Sequence, residues 1–282
     1  MQYVQSGEAR IPVLGYGTYG MSDADIHRVL PAALRAGFRH IDTAQVYRNE
    51  SSVGECIAAS GIPRSEVFIT TKVWVSNYSP QRFEASVDES LRKLKSSYID
   101  LLLLHWPGSD IPLAEQVAGL NAVVRSGKVR HIGVSNFNRT LLETAAQLSD
   151  FPLVTNQFEY HPYLDQSILI ESTRKAGLAV TAYCGMAIGH VFSDDTLKVM
   201  AARYNRTVAQ IVLRWLIQQE GTVALSRTSQ TSRLADNLAV FDFELSATDM
   251  AAIHALAQPD SRIVDPRGLA PNWDSTRPRS QI

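Results

Sequence analysis

The stretch Gly37–Asp42 reads GFRHID, and it shows the pattern that is repeated through the chain: a glycine, then a short strand-like run ending on a polar residue. Glycine is favoured just after a helix, where the backbone enters the left-handed region that other side chains disfavour. Short runs rich in Val, Ile and Thr are typical of buried parallel strands. The stretch therefore predicts the end of a helix followed by a strand.

The same pattern, a glycine followed by a strand-like run, recurs along the sequence. A strand-like run follows a glycine at five places, namely FRHID after Gly37, VFITTK after Gly61, VRHIGVS after Gly127, LAVTAY after Gly177 and TVAL after Gly221. Strand-like and helical stretches alternate about eight times, and repeated right-handed βα units close into a barrel. The pattern predicts an α/β fold, a (β/α)8 TIM barrel, forming one domain over residues 1–282.

Two further details of the architecture are predicted. The residues before Pro12 favour a β-hairpin, with QYVQ as a strand and SGEA at the turn, that closes the floor of the barrel. We also expect extra C-terminal helices. Among the barrel helices, Thr207 and Gln210 have the spacing of a capping box, and the residues after them repeat an apolar face at helical spacing: Val208, Ile211, Val212, Trp215 and Leu216.

A competing interpretation begins at VLGYGTYG, Val13–Gly20, whose glycines spell the G-x-G-x-x-G of a dinucleotide-binding Rossmann unit. In that unit the third glycine lies inside the helix. Here Gly20 is followed by Ser22 and Asp23, either of which suits the N-cap of a helix that starts later. We therefore assign Leu14–Gly17 to the first barrel strand, and do not assign Asp42 as the ribose ligand of a Rossmann unit.

Composition narrows the class of protein. The net charge of −1, without a basic stripe, argues against a nucleic-acid partner. The chain has only two cysteines, and its longest aliphatic run is Leu101–Leu104, so we expect a cytoplasmic protein without disulfides or a membrane span. The N-terminus shows no secretory signal, and we expect no metal site.

Polar residues follow the predicted strands where a barrel carries its active site. Four of them form a chemical set: Asp42 at the end of strand two, Tyr47 in the loop after it, Lys72 at the end of strand three and His105 at the end of strand four. Each could have an ordinary role as a solvated charge, a helix cap or a structural histidine. Together they predict a tyrosine acid whose pKa is lowered by an ammonium, with a carboxylate that keeps the lysine charged and an imidazole that orients a carbonyl. Such a set implies hydride from a reduced nicotinamide.

Over essentially its whole length the chain resembles the aldo-keto reductase superfamily. The resemblance is carried by long, ordered motifs: GTYG, GFRHIDTAQVYRNE, ITTKVW, LLLLHWP, HIGVSNF, NQFEYHP and NLAVFDFELSATDM. It implies that Tyr47 is the proton donor, that Lys72 and Asp42 tune it, and that His105 positions the carbonyl. It also implies a substrate pocket lined by Tyr19, Tyr47, Trp74, His105 and Trp106.

The resemblance further implies a nicotinamide cofactor lying across the barrel mouth. Around the nicotinamide it implies Gly17, Thr18, Asp42, Ser135, Asn136, Gln157 and Tyr183, and over the pyrophosphate Gly185, Met186 and Ala187. In LSRTSQTSRLADN, Leu225–Asn237, an arginine stands where the family usually has lysine. Two guanidiniums and a hydroxyl suit a 2′-phosphate, so we expect NADPH to be held by Arg227, Thr228, Arg233, Asp236 and Asn237.

The tail SRIVDPRGLAPNWD, Ser261–Asp274, resembles that of the bacterial 2,5-diketo-D-gluconate reductases of this family, particularly the B type. That likeness implies reduction of 2,5-diketo-D-gluconate, or of methylglyoxal and similar reactive carbonyls. The loop between His105 and Ile111 is short, which favours small polar substrates. By family resemblance we expect a monomer.

Two alternatives remain open at the level of sequence. One is a Schiff-base barrel enzyme that uses Lys72 as its nucleophile, which would require a lowered lysine pKa that Asp42 opposes. The other is a non-catalytic nicotinamide-binding sensor or accessory subunit.

Overall fold

The computed structural model describes residues 2–274, and within them eight parallel strands form a closed barrel. The proposed domain of residues 1–282 therefore includes Met1 and residues 275–282, which lie outside the described residues. The barrel strands are β3 (Leu14–Gly17), β4 (His40–Asp42), β5 (Phe68–Val73), β6 (Ile99–Leu104), β7 (Val129–Ser135), β8 (Leu153–Glu159), β9 (Ala179–Tyr183) and β10 (Thr222–Ser226).

Closure comes from the pairing of the last strand with the first. β10 lies between β9 and β3, and its residues Ala224 and Ser226 stand opposite Leu14 and Tyr16. The other strands pair in chain order, all parallel. The carboxyl ends of all eight strands therefore meet at one mouth, as the glycine pattern predicted.

Helices surround the barrel. They are α1 (Asp23–Ala36), α2 (Glu50–Ala59), α3 (Pro80–Lys93), α4 (Leu113–Arg125), α5 (Arg139–Leu148), α6 (Ser167–Lys175), α7 (Asp195–Tyr204), α8 (Val208–Ile217), α9 (Arg233–Leu238) and α10 (Ala247–His254). The last two follow β10, which confirms the expected C-terminal helices. None of the helices within residues 2–274 has the length and apolarity needed to cross a bilayer.

Local signals in the sequence account for the helix ends. Ser22 caps α1 by accepting the amide of Asp25, and Gly37 ends that helix with a φ of 116°. The other four glycines that precede predicted strands also have positive φ, namely Gly61, Gly127, Gly177 and Gly221. The capping box between Thr207 and Gln210 is present at the start of α8.

The predicted hairpin is formed by β1 (Tyr3–Ser6) and β2 (Ala9–Pro12), which pair antiparallel. Its Ala9 and Ile11 are fully buried and pack with residues from the barrel strands, among them Leu101 and Leu103. The hairpin thus covers apolar side chains of the barrel and leaves the opposite end for polar residues.

Candidate active site

A buried ion pair lies at the mouth of the barrel. Asp42 ends β4 and Lys72 lies near the end of β5, with their side chains only 3% and 1% exposed. Lys72 Nζ lies 2.6 Å from Asp42 Oδ1 and donates a second hydrogen bond of 2.8 Å to the carbonyl of Thr43. Burial of two opposite charges in contact is tolerable because each satisfies the other.

Tyr47 and His105 join this pair. Tyr47 ends a 3₁₀ turn, Gln45–Tyr47, that begins three residues after Asp42. Its ring centroid is 5.1 Å from Lys72 Nζ and 5.6 Å from the ring of His105, which immediately follows β6. The fold therefore brings together the four residues that the sequence singled out.

The pKa of Tyr47 moves in the direction opposite to the sequence-based expectation. Burial raises the pKa of this phenol well above its ordinary value, and the carboxylate of Asp42 raises it further. The ammonium of Lys72 does not reverse this, because Asp42 is in contact with that ammonium and offsets its charge. Tyr47 is therefore a protonated phenol at neutral pH.

Burial also governs the other two titratable groups. It lowers the pKa of Lys72, against the opposing charge of Asp42, and it lowers the pKa of His105 well below its usual value, with Lys72 adding to that effect. A lowered lysine pKa is what a Schiff-base mechanism needs, but Lys72 Nζ is buried and donates to two acceptors. His105 presents a neutral imidazole, and its Nδ1 is buried with no hydrogen-bond partner among residues 2–274.

Buried amide side chains extend the site along the neighbouring strands. Gln157 Nε2 in β8 donates to Asp42 Oδ2 over 2.8 Å. Asn136, directly after β7, donates to the carbonyl of His105 over 3.0 Å and accepts from the hydroxyl of Tyr183 over 2.7 Å. Ser135 lies beside them and donates to the carbonyl of Gln157. The predicted nicotinamide residues thus form one hydrogen-bonded set with the ion pair.

Aromatic rings stand around Tyr47 and His105. Tyr19 is 70% exposed and packs edge-on against Tyr47 with a centroid distance of 5.2 Å. Trp74, after β5, packs edge-on against His105 at 5.3 Å. Trp106 is buried, with only 6% of its surface exposed. Two of the three predicted substrate-lining rings are therefore in contact with the central residues.

Comparison with known proteins identifies the family. Residues 13–258 match the model of the aldo/keto reductase family. The chain belongs to this family. It is 39% identical over 267 residues to methylglyoxal reductase DkgB of Salmonella typhimurium, covering 94% of this chain and 99% of that protein. An aldo-keto reductase of Mycobacterium avium is 40% identical over 92% of this chain and 91% of its own.

Solved structures of aldo/keto reductases share the fold. A crystal structure described as "a putative 2,5-diketo-D-gluconic acid reductase B" is 56% identical, covers 98% of both chains and has a TM-score of 0.97. The aldose reductase of Schistosoma japonicum is 28% identical over 92% of this chain and 94% of its own, with a TM-score of 0.87.

Aldo/keto reductases generally use NAD(P)H, and the residues present fit the charged end of such a cofactor. Arg227 follows β10 and Arg233 begins α9; both are exposed, and neither has an ion-pair partner among residues 2–274. Two unpaired guanidiniums on adjacent elements suit a phosphate. Thr228 lies between them and holds the loop through Gln230, while Asn237 donates to Ser226. Asp236 is exposed on α9.

The remaining predicted cofactor residues offer mainly backbone. Gly17 stands opposite Asp42 in the barrel, and Thr18 is fully buried with its hydroxyl on the carbonyl of Asp42. Gly185 and Ala187 are buried, and Met186 is half-buried. A Cβ at Gly185 would collide with Leu216 on α8.

Sequence reasoning missed residues that connect these loops. Asn49 donates to the carbonyls of Thr18 and Met21 and accepts from the hydroxyl of Thr43, which joins the loops after β3 and β4. Gln45, in the loop after β4, accepts a hydrogen bond from the backbone amide of Trp74 and so joins that loop to the one after β5. Both lie in the motif TAQVYRNE, but the letters give no sign of which side chains face another loop.

Proposed function

We propose that this aldo/keto reductase uses NADPH to reduce small aldehydes and ketones to alcohols, with Tyr47 as the general acid. The observation that carries the proposal is the placement of Tyr47 between His105 and a buried Lys72–Asp42 pair at the barrel mouth. A phenol, a neutral imidazole and a sequestered ion pair are the groups needed to protonate a developing alkoxide.

When bound, the reduced nicotinamide supplies the hydride that the carbonyl carbon accepts. The residues of the chain do the rest. The neutral ring of His105 donates a hydrogen bond to the carbonyl oxygen and orients it. The hydroxyl of Tyr47 gives its proton to that oxygen as negative charge develops there. Lys72, held charged by Asp42, stabilises the phenolate that Tyr47 becomes.

The choice of NADPH rests on the exposed guanidiniums of Arg227 and Arg233. An arginine can grip a phosphate through two parallel hydrogen bonds, and neither residue has a carboxylate partner among residues 2–274 that would compete. The 2′-hydroxyl of NADH offers no charge to this pair. We therefore infer a preference for NADPH.

The substrate class rests on the relatives and on the short loop between β6 and α4. The relatives are named for methylglyoxal and for 2,5-diketo-D-gluconic acid, both small and polar. Only eight residues, 105–112, connect β6 to α4, so this side of the mouth carries no long covering loop. Substrates of this reductase are accordingly small dicarbonyls, including methylglyoxal and 2,5-diketo-D-gluconate.

The test is loss of reduced-nicotinamide absorbance on mixing the protein with NADPH and a panel of dicarbonyls and aromatic aldehydes. We expect steady multiple turnover, and a Tyr47→Phe variant that is slower by about 10²–10⁴, the usual contribution of a general acid. Its NADPH affinity, measured by fluorescence titration, should stay within about twofold because the phenyl ring remains.

The matched control is Tyr3→Phe, which makes the same change at an exposed position of the hairpin and should leave turnover intact. A Tyr47→Phe protein with most of its activity would refute the acid role. Tight NADPH binding without turnover of any carbonyl by the unmodified protein would instead favour a cofactor sensor.

A further inference from the structure

Gln45 is the first residue of the 3₁₀ turn that ends in Tyr47. Its side-chain oxygen accepts two hydrogen bonds of 2.9 Å, one from the backbone amide of Trp74 and one from the side-chain amide of Asn77. Its side-chain nitrogen donates to the carbonyl and the hydroxyl of Ser86, both at 3.1 Å. Both ends of this amide are therefore committed to other elements.

Gln45 binds the segment Trp74–Asn77, which carries the aromatic ring that packs beside His105. Trp74 precedes a 3₁₀ turn, Val75–Asn77, and the amide of Asn77 donates to the carbonyl of Trp74. Gln45 thus binds the first and last residues of this short segment at one oxygen. Because the Trp74 ring packs on His105, the position of this backbone decides where the ring stands relative to the imidazole.

The other end of Gln45 is braced by buried groups. Its side-chain nitrogen also reaches the hydroxyl of Ser90 on α3, which donates to the buried carboxylate of Glu50. Glu50 in turn accepts from Thr71, the residue before Lys72 in β5. A chain of hydrogen bonds thus runs from Gln45 through Ser90 and Glu50 to the strand that carries the lysine, and it fixes the side-chain amide of Gln45 from behind.

We propose that Gln45 is a positioning residue that fixes Trp74 relative to Tyr47 and His105, and so determines which carbonyl substrates the reductase accepts. The inference rests on the proposed function. Gln45 acts through Trp74: the contacts of its side chain are with Trp74, Asn77, Ser86 and Ser90. Its effect should therefore be selective for substrates that need the Trp74 wall.

The main variant is Gln45→Met, which keeps the length of the side chain and removes every hydrogen bond of its amide. With an aromatic aldehyde, which packs on the indole, we expect kcat/KM to fall about tenfold or more, since a small displacement of a positioning group is costly. With methylglyoxal, too small to depend on the wall, we expect a change within about threefold. The NADPH dissociation constant is measured alongside and should change little, and Tm is measured to record the stability lost with these hydrogen bonds.

A double-mutant cycle with Trp74→Ala separates positioning from general destabilisation. If Gln45 acts through Trp74, adding Gln45→Met to Trp74→Ala leaves the ratio of kcat/KM for the two substrates unchanged. Additive effects on that ratio would overturn the proposal. Val46→Ala is the matched control, because it alters the exposed residue of the same turn and should keep the ratio of the unmodified protein.

Gln45→Glu is a second variant that tests the same contacts if Gln45→Met does not fold. It retains an oxygen for Trp74 and Asn77 and replaces the donor toward Ser86 and Ser90 by a second oxygen, so the contacts that fix Trp74 survive and we expect the substrate ratio of the unmodified protein. A ratio shifted as strongly as in Trp74→Ala would count against the proposal. If the unmodified protein reduces no carbonyl, the proposed function itself fails; if it turns over and Gln45→Met keeps its ratio, only this inference fails.

Discussion

Asp42 makes contacts well beyond its pairing with one lysine. One carboxylate oxygen contacts Lys72 and the other accepts from Gln157, while its backbone carbonyl accepts both the amide and the hydroxyl of Thr18. A single carboxylate therefore links the acid-tuning residues to the amides proposed for the nicotinamide. At the residue scale, the Lys72–Asp42 pair and the amides proposed to hold the nicotinamide share one hydrogen-bond network.

Burial, more than charge, sets the protonation states of the two rings beside the ion pair. The pKa of Tyr47 is raised and that of His105 is lowered, in both cases mainly by removal from water. Each group is therefore neutral before the reaction, which suits a phenol that donates a proton and an imidazole that donates a hydrogen bond.

The prediction at this scale concerns Arg227. Its guanidinium is exposed and donates only to the carbonyl of Gly20, so it can turn to a phosphate without leaving a buried partner. We expect Arg227→Ala to weaken NADPH binding about tenfold to a hundredfold, as loss of a charged hydrogen bond does. Fluorescence titration of the variant and the unmodified protein with NADPH and with NADH measures the change in affinity.

NADH supplies the control for this prediction, because it lacks the 2′-phosphate and should bind the variant as it binds the unmodified protein. Arg92→Ala, an exposed arginine on α3, should change neither affinity. An equal loss for both cofactors would mean that Arg227 does not recognise the phosphate.

At the scale of elements, the C-terminal segment is fastened across the mouth. Glu159 ends β8, is fully buried, and accepts the backbone amides of Ile263 and Val264 at 2.8 and 2.9 Å. Further along, the amide of Gly108 donates to the carbonyl of Leu269 over 3.0 Å. The segment thus runs from β8 to the loop that follows His105 and Trp106.

We predict that Glu159→Gln loosens this segment. The variant is uncharged and retains one acceptor oxygen where the carboxylate offers two, so one of the two tail amides loses its acceptor and the other keeps only a neutral one. Hydrogen–deuterium exchange at Ile263 and Val264 should show a local opening free energy lower by about 1.5–3 kcal/mol.

Glu171→Gln on the surface of α6 is the matched control and should leave exchange in the tail unchanged. Equal protection of the two amides in Glu159→Gln and in the unmodified protein would show that the buried carboxylate does not hold the segment.

At the scale of the whole molecule, closing the barrel buries His105, which is only 7% exposed. The pKa of His105 is lowered in the folded state. Below about pH 6.5 this histidine therefore binds a proton in the unfolded chain but stays neutral in the folded protein. Stability contributed by this neutral histidine is present above that pH and is lost as the pH falls toward the folded pKa.

We therefore expect the free energy of unfolding to fall on acidification more steeply in the unmodified protein than in His105→Phe. The difference between them should grow by at most about 1.4 kcal/mol for each pH unit below 6.5. Denaturant unfolding at several pH values between 7.5 and 5.5 measures both slopes. Parallel curves would contradict a buried, neutral His105.

Much of the fold follows from short-range signals. Glycines such as Gly37 mark where helices end because only a residue without a side chain turns there cheaply, and the strand-like runs between polar ends specify parallel strands. The predicted first strand, Leu14–Gly17, and the capping box at Thr207 were confirmed for the same reason. The residues at the strand ends could be chosen because all parallel strands of a barrel end at one mouth.

The sequence by itself determined the barrel, its hairpin, its family and the chemical identity of the groups at the mouth, because these depend on local backbone preference and on which residue types follow each strand. Only the tertiary structure decided how those groups are protonated and what holds them in place. Burial reverses the expected direction of the Tyr47 pKa, and Gln45, Asn49 and Glu159 matter through partners from other loops. Solvent exclusion and contacts between distant loops exist only once the chain has closed, so no local pattern encodes them.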